Sequence, residues 1–296
     1  VTNGEIINEK IFKNIWIQPA AGDAGGALGS ALSLWHKEFK NKRFLSAKDG
    51  MKGSYLGPSF SDEQIEISLK KMGADYDQLP EDELLKITAN NLSNGKTIGW
   101  FQGKMEFGPR ALGSRSIIAD PRSGNMQKIL NLKVKFRESF RPFAPSIIKE
   151  DLKDWFELDY ESPYMLLVAK INKKVRKQMT ESEQKLFGIE KLNIIRSSIP
   201  AVTHVDYSAR IQTVDSDTNN KYYKLLENFK KITNCPILIN TSFNVRGEPI
   251  VCSVEDAFKC FMGTDLDILV CGNFILSKDK QNNDLKSNYK KKFSID

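Results

Sequence analysis

Between Phe107 and Ser116 the chain reads FGPRALGSRS. Gly108 and Gly113 stand five residues apart, as do Arg110 and Arg115, and Pro109 interrupts the first half. Proline fixes its own φ and lacks an N–H, and glycine weakens helix and strand interiors alike. The stretch suits neither element. On either side lie apolar runs, TIGWFQG (97–103) and RSIIADPR (115–122), which read as strands. Any fold for this chain therefore has to hold a long, glycine-punctuated turn with two cations between two strands.

Helices and strands mix around that turn. Ser61 with Gln64 three residues on is a capping box, and Leu84, Leu85 and Ile87 mark a second helix. NMQKILNLKVK (125–135) is helical, and FRPFAPSII (140–148) runs from an arginine turn into a strand. PYMLLVAKI (163–171) is a strand, VRKQMTESEQKLFGIEKLN (175–193) a charged insertion, and IPAVTHVDYSARIQTV (199–214) two short strands around a turn. A helix over Tyr222–Thr233, an apolar strand ending in a polar turn (CPILINTSFN, 235–244), a capped helix (SVEDAFKCFMGT, 253–264) and a last strand (LDILVCGNFIL, 266–276) complete the pattern. From Asn90 onward this is an α/β domain with a mixed, α+β sheet.

The first 43 residues look different. KNIWIQPAAGDAGGALGSALSLWHKEFK (13–40) reads as a strand at Ile15–Ile17, a glycine loop and a helix, with Leu28, Ala31, Leu32, Trp35 and Phe39 on one face. A strand and loop without preceding partners make a poor domain start, so an upstream region is expected. Residues 44–60 are polar, glycine-rich and aperiodic, as a linker would be. The domain expected after them spans 61–280, followed by a basic, disordered tail over 281–296.

No run of eighteen apolar residues occurs, which argues against a membrane span. The net charge of +7, from 44 basic and 37 acidic residues, sits largely in the tail. The arginines embedded in Gly/Pro/Phe motifs suit small anions better than a duplex, which wants a basic stripe, so nucleic acid is not the expected partner. Cys235, Cys252, Cys260 and Cys271 form no CxxC pair and fit a reduced, cytoplasmic protein.

Five clusters carry chemistry. In GDAGGALG, Asp23 is either a helix N-cap or a hard oxygen ligand for a divalent metal; Gly25 and Gly26 either permit close packing or open a helix N-terminus to phosphate. Lys104, Arg110, Arg115 and Arg122 converge on turns, where guanidinium forks match phosphate or carboxylate. Their alternative is pairing with Glu106 and Asp120 on a surface. KFRESFRPFAP supplies Lys135, Arg137 and Arg141; Arg141, flanked by Phe140 and Phe143, needs an anionic partner, either Glu138 or a substrate phosphate. His204 is a general acid/base, a phosphate donor or a structural turn residue, and Arg210 adds another fork. Asn240, Ser242 and Asn244 can read a group that donates and accepts at once, such as a carbamoyl or a nucleobase, with Arg246 beside them. Neither a Ser/His/Asp triad, a CxxC zinc motif nor a GxxxxGK[ST] loop stands out, so the chemistry expected is group transfer on polyphosphate stabilised by cations.

Taken in order, QPAAGDAGGALG, GWFQGKMEFGPRALGSRSIIADPR, KVKFRESFRPFAPSI, PAVTHVDYSARIQTV and NTSFNVRGEPIVC resemble the carbamoyltransferase family of nodulation-factor and antibiotic O-carbamoylation, from Asn3 to about Leu276. The resemblance implies a YrdC/Sua-like domain over 61–280, preceded at 1–43 by the C-terminal fragment of an ASKHA (actin-like ATPase) domain. It implies that carbamoyl phosphate and ATP yield carbamoyl adenylate, and that the ASKHA domain passes the carbamoyl group to an acceptor hydroxyl near an iron-type metal, with Mg2+ accompanying ATP. On that reading Lys104, Arg110, Arg141 and Arg210 hold phosphates; Arg115, Lys135, His204, Asn240, Ser242, Asn244 and Arg246 serve substrate or nucleotide; Gly25 and Gly26 line the ASKHA nucleotide; and Asp23 is the metal ligand. Lys104 departs from the arginine common in the family, keeping the charge without the fork. The partners implied are small molecules, including a sugar or natural-product acceptor, with a homodimer as the open assembly. The rival readings are an RNA-associated relative of tRNA threonylcarbamoyl-transfer proteins and a non-catalytic nucleotide-binding module.

Overall fold

The computed structural model describes residues 2–44, 49–286, 289 and 293. At its centre is a nine-stranded mixed sheet: β1 (Asp77–Gln78), β2 (Ile98–Phe101), β3 (Arg115–Ala119), β4 (Ala144–Ile148), β5 (Leu167–Lys170), β6 (Ser208–Val214), β7 (Ile237–Ser242), β8 (Ile268–Cys271) and β9 (Phe274–Ser277). Their spatial order is β1-β9-β8-β2-β3-β7-β4-β6-β5. The β2–β8 and β4–β6 pairs are parallel and the remaining pairs antiparallel, the mixed α/β architecture expected of the sequence. β2, β3 and β4 are buried at every position, as near-continuous apolar runs should be.

Two helix pairs support the sheet. Glu81–Ser93 packs on Asn220–Thr233, and Asp62–Lys71 packs on Val254–Gly263. Local sequence sets their ends. Ser61 with Gln64 and Ser253 with Asp256 close capping boxes, and Asn234 ends Asn220–Thr233 in the left-handed region (φ 57°). Leu84, Leu85, Leu225, Leu226 and Phe229 then fill one core with Ile117, Ile147 and Leu238. Burying each such side chain contributes roughly 1.5–3 kcal/mol.

Several local expectations are corrected. Ile15–Ile17 is not a strand; Thr2–Asn8 and Asp23–Ser33 are the helices of this region. Among the described residues the apolar face of the second helix meets no core, and Leu32, Trp35 and Phe39 are exposed. In 199–214 the first piece is a single 3-10 turn, Pro200–Val202, because Pro200 cannot donate to a ladder; only β6 is a strand. The final run is a hairpin, β8 and β9, folded at Gly272, whose φ of 58° admits the tight turn. Residues 49–58 are docked: Tyr55 bridges Glu106, and Gly57 N–H donates to Met105 O at 2.9 Å. Half of the expected tail, 281–296, lies outside the described residues, but Gln281 and Tyr289 are buried and the Tyr289 hydroxyl bonds Glu248.

Candidate functional site

The strand directions gather the candidate residues at one end of the sheet. The C-terminal ends of β2, β7 and β8 and the N-terminal ends of β3, β4 and β6 point the same way. The connections at that pole carry Lys104 and Arg110 (102–114), Lys135 and Arg141 (135–143), His204 (203–207), and Asn244 and Arg246 after Ser242 (243–253). Asn240 and Arg210 lie on β7 and β6 near the same pole. Arg122 sits past the opposite end of β3. It pairs with Asp120 at 2.6 Å, so it belongs to a peripheral ion pair.

The FGPRALGSRS turn is fixed through its backbone. Ala111 O accepts from Asn240 Nδ2 (3.2 Å), and Leu112 O from Gln212 Nε2 (2.7 Å) and Tyr55 Oη (2.8 Å). Gly113 O accepts from Trp100 Nε1 (2.9 Å), and its N–H donates to Ser116 Oγ (3.0 Å). The buried Glu106 carboxylate receives the N–H groups of Leu112 (2.6 Å), Ser114 (2.8 Å) and Arg115 (3.3 Å). Burial nonetheless raises Glu106 above the usual carboxylate range, the N–H groups of Leu112, Ser114 and Glu106 itself and the charge of Arg115 pulling the other way. Gly113 is required: its φ is 102°, and a Cβ there would stand 2.3 Å from the Tyr222 ring.

Arg115 is a structural residue, which corrects its expected place on the substrate. It is fully buried and stacks on Phe101, its Cζ 3.6 Å from the ring centroid. Its Nη atoms donate to the carbonyls of Gln102 (2.9 Å), Gly103 (3.3 Å), Ser114 (3.1 Å) and Pro58 (3.2 Å). Burial depresses it to about 10, against the opposing charge of Glu106. The guanidinium is the post on which the turn's base is built, and it presents no fork to a ligand.

Arg110 is different: it is exposed at the tip of the fixed turn. Arg210, half-buried on β6, is held below the ordinary arginine range by burial and then by the neighbouring charge of Arg110. Its Nε is buried without a hydrogen-bond partner. Among the described residues neither arginine pairs with a carboxylate. Two like charges are thus brought to one pole with no carboxylate of the described residues paired to either. His204 lines a neighbouring cleft of about 170 Å3 with Gln127, Phe140, Pro142 and Leu192, its Nδ1 3.5 Å from Ser208 Oγ. Burial, then Arg210 and Arg196, lowers its pKa against the pull of Asp206, so it is neutral at pH 7.

The polar turn after β7 is largely satisfied from within. Lys135 Nζ reaches Ser242 O (2.8 Å), Ser242 Oγ (3.3 Å), Asn244 O (2.7 Å) and Asn244 Oδ1 (2.5 Å). Burial, with Arg137 adding to it, pushes this amine down to about 7. Asn244 Nδ2 donates to Glu248 O at 2.6 Å. Lys135, Ser242 and Asn244 therefore form a clip that shapes the turn. Asn240 retains one open valence: its Nδ2 is used, while its Oδ1 is a buried acceptor without a partner. Arg141 is exposed rather than packed among the phenylalanines, and Glu138 is its partner at 2.9 Å; Arg246 reaches the same carboxylate at 3.3 Å. Lys104 is exposed on the bend after β2.

The N-terminal glycine loop touches this site. Ala20, at φ 51°, abuts Gly108, where a Cβ would approach the Ala20 Cβ to 2.6 Å. Gly25 N–H donates to Ala20 O at 2.8 Å, and a Cβ on Gly25 would meet that oxygen at 2.3 Å. Close packing thus accounts for Gly25, whereas Gly26 faces open space. Asp23 is the first helical residue behind the N-cap Gly22 and makes no capping bond. No group of three or more His, Cys, Asp or Glu residues that could hold a metal occurs among the described residues. Asp23 alone does not make a metal site, and no chemistry is routed through one here.

Some residues of the site escaped the sequence. Gln212 lies two positions after Arg210, so the period of two puts both on one face of β6. That alternation was the available signal. Glu106, Tyr55 and Asn219 hold the turn from distant positions, Asn219 Nδ2 donating to Tyr55 Oη at 3.1 Å, and nothing local marks them.

Two family models match the chain: Carbamoyltransferase N-terminus over residues 1–32 and Carbamoyltransferase C-terminus over residues 89–278. The uncharacterized protein sll1178 of Synechocystis is 58% identical over 283 residues, covering 95% of this chain and 46% of that protein. Nodulation protein NolO of Bradyrhizobium diazoefficiens is 40% identical over 280 residues, covering 93% and 47%. The 3'-hydroxymethylcephem-O-carbamoyltransferase of Streptomyces clavuligerus is 29% identical over 262 residues, covering 88% and 43%. The chain spans about half the length of the curated relatives it matches.

Proposed function

We propose that this chain, which belongs to the carbamoyltransferase family, binds carbamoyl phosphate and ATP at the pole of the sheet around Arg110 and Arg210 and forms carbamoyl adenylate there. The balanced reaction takes carbamoyl phosphate, ATP and water to carbamoyl adenylate, inorganic phosphate and pyrophosphate. Transfer of the carbamoyl group to an acceptor hydroxyl is assigned to the N-terminal family domain that residues 1–32 match. The cephem O-carbamoyltransferase is the relative whose name supports a hydroxyl acceptor.

One observation carries the reading: Arg110 and Arg210 stand together at the pole without a carboxylate. A phosphate dianion relieves their mutual repulsion and accepts charge-assisted hydrogen bonds from both, and the half-buried setting of Arg210 strengthens them. The Asn240 carbonyl supports a carbamoyl phosphate over a plain phosphate. The Ser146–Gln212 register, carried back two residues, sets small Ala144 between Asn240 on β7 and Arg210 on β6. The two side chains thus leave backbones about 10 Å apart on one sheet face. One offers an acceptor for an NH2 group, the other a donor for a phosphate oxygen. Lys104 and Arg141 supply further cations for the ATP phosphates. Arg246 serves the nucleotide side, Ser242 and Asn244 act through the turn they shape, and neutral His204 is assigned to move a proton. Lys135 and Arg115 act through the turns they hold.

The test is carbamoyl-phosphate-dependent exchange of radiolabelled pyrophosphate into ATP. Arg110→Ala is expected to lower exchange at least 10-fold with the unfolding transition retained. Exchange at the wild-type rate would remove Arg110 from the site.

A further inference from the structure

Beneath the Arg110 turn, one side chain joins three strands to it. Gln212 of β6 is 2% exposed. Its Nε2 donates to Leu112 O at 2.7 Å; its Oε1 accepts from Ser146 Oγ of β4 at 2.5 Å and from Asn240 Nδ2 of β7 at 2.7 Å. Asn240 passes the link on to Ala111 O at 3.2 Å. The two carbonyls directly after Arg110 are therefore held, one by Gln212 itself and one by the asparagine that Gln212 orients. Only an amide serves here, because the position must donate to a backbone carbonyl and accept from two side chains at once.

We propose that Gln212 is a positioning residue for the anion site: it touches no ligand, and it sets the place of Arg110 relative to Arg210. The proposal rests on the reading of Arg110 and Arg210 as the carbamoyl phosphate site. Its logic is that Arg210 precedes Gln212 by two residues on the same face of the same strand. One strand thus carries one arginine directly and fixes the backbone next to the other. Their separation is written into β6 rather than left to a free loop. Tyr55 Oη also bonds Leu112 O at 2.8 Å, so loss of Gln212 loosens the turn without releasing it.

The experiment is a double-mutant cycle on the full chain, with carbamoyl phosphate binding read by calorimetry. The proteins are wild type, Gln212→Met, Arg110→Ala and the double variant. Gln212→Met is expected to weaken binding about 10-fold, and the double variant to lose less than the sum of the two single losses, since Gln212 supports the Arg110 turn both directly and by way of Asn240. Gln212→Glu sets a carboxylate oxygen against Leu112 O in place of the donor and adds a charge near the site, so it is read by amide exchange and not by affinity. Backbone amide exchange at Leu112–Ser114 should rise in both variants, with that of 134–137 unchanged. Additive losses, or unchanged amide exchange at Leu112–Ser114, overturn the proposal. If wild type and Arg110→Ala bind equally, the site reading itself fails; the exchange measurement still decides whether Gln212 holds the turn.

Discussion

Arg210→Met separates affinity from stability. In the ligand-free protein Arg210 bears the cost of burial, the repulsion of Arg110 and a buried Nε with no acceptor. Methionine keeps the apolar stem and removes all three, so the ligand-free variant should melt at or above the wild-type temperature. Binding should move the other way. A hydrogen bond to a charged group is worth about 1.5–3 kcal/mol, which is roughly 10- to 150-fold in Kd. At carbamoyl phosphate of 100 times the wild-type Kd, ligand binding adds about 2.7 kcal/mol to wild-type stability. With Kd raised about 30-fold the same concentration adds only about 0.9 kcal/mol. At about 2 °C per kcal/mol for a chain of this size, the ligand-induced shift falls from about 5 °C to about 2 °C. Differential scanning fluorimetry with and without carbamoyl phosphate reads both quantities. A variant that melts several degrees lower when free, yet shows the wild-type ligand shift, would make Arg210 a structural residue and refute the argument.

Two further outcomes follow from the same geometry. Gly113→Ala places a methyl 2.3 Å from the Tyr222 ring at φ 102°; denaturant unfolding should show a loss of at least about 2 kcal/mol, and an unchanged midpoint would contradict the fixed turn. Lys135 has a folded pKa of about 7 against 10.5 when unfolded, so between those values the unfolded chain binds more protons and stability rises with pH. The cost of holding its charge is fully present below pH 7 and recedes above it. The stability of wild type minus that of Lys135→Met should therefore rise by about 2 kcal/mol from pH 7 to pH 9, measured by urea unfolding at each pH, and a flat difference would show that the amine does not titrate there.

The sequence made the elements of the domain legible because each carries its own local signal. Ser61 and Ser253 announce their helices by capping boxes, and β2, β3 and β7 announce themselves as apolar runs closed by polar turns. The convergence of Lys104, Arg110, Arg141, Arg210 and Asn240 at one pole was legible only as a set of motifs, since strand order decides it. What local pattern could not give was which polar groups are already spent. Arg110 and Arg115 look equivalent in FGPRALGSRS, yet Arg115 falls on β3 beneath Phe101 and against four carbonyls, while Arg110 is left at the tip. The helix Asp23–Ser33 misled for the opposite reason. Its apolar face is real, but Leu32 and Trp35 meet no core within the described residues, so periodicity located the face and not what covers it.

The division between spent and unspent groups is itself the strongest guide to chemistry here. Around the pole, Glu106, Lys135, Ser242, Asn244 and the Nη atoms of Arg115 bond backbone or one another, and such a network is rigid even though Arg115 Nε stays unpaired. Rigidity is what makes the exceptions meaningful. A loose loop would let Arg110 swing away from Arg210, and Asn240 Oδ1 would find a donor. Because Ala111, Leu112 and Gly113 are held by Asn240, Gln212 and Trp100, the backbone that carries Arg110 and the amide of Asn240 are fixed. Among the described residues the fold thus brings two arginines without a bonded carboxylate and one unpaired carbonyl to one pole. A group of opposite charge with an N–H to donate would remove both deficits at once, and the proposed carbamoyl phosphate is such a group.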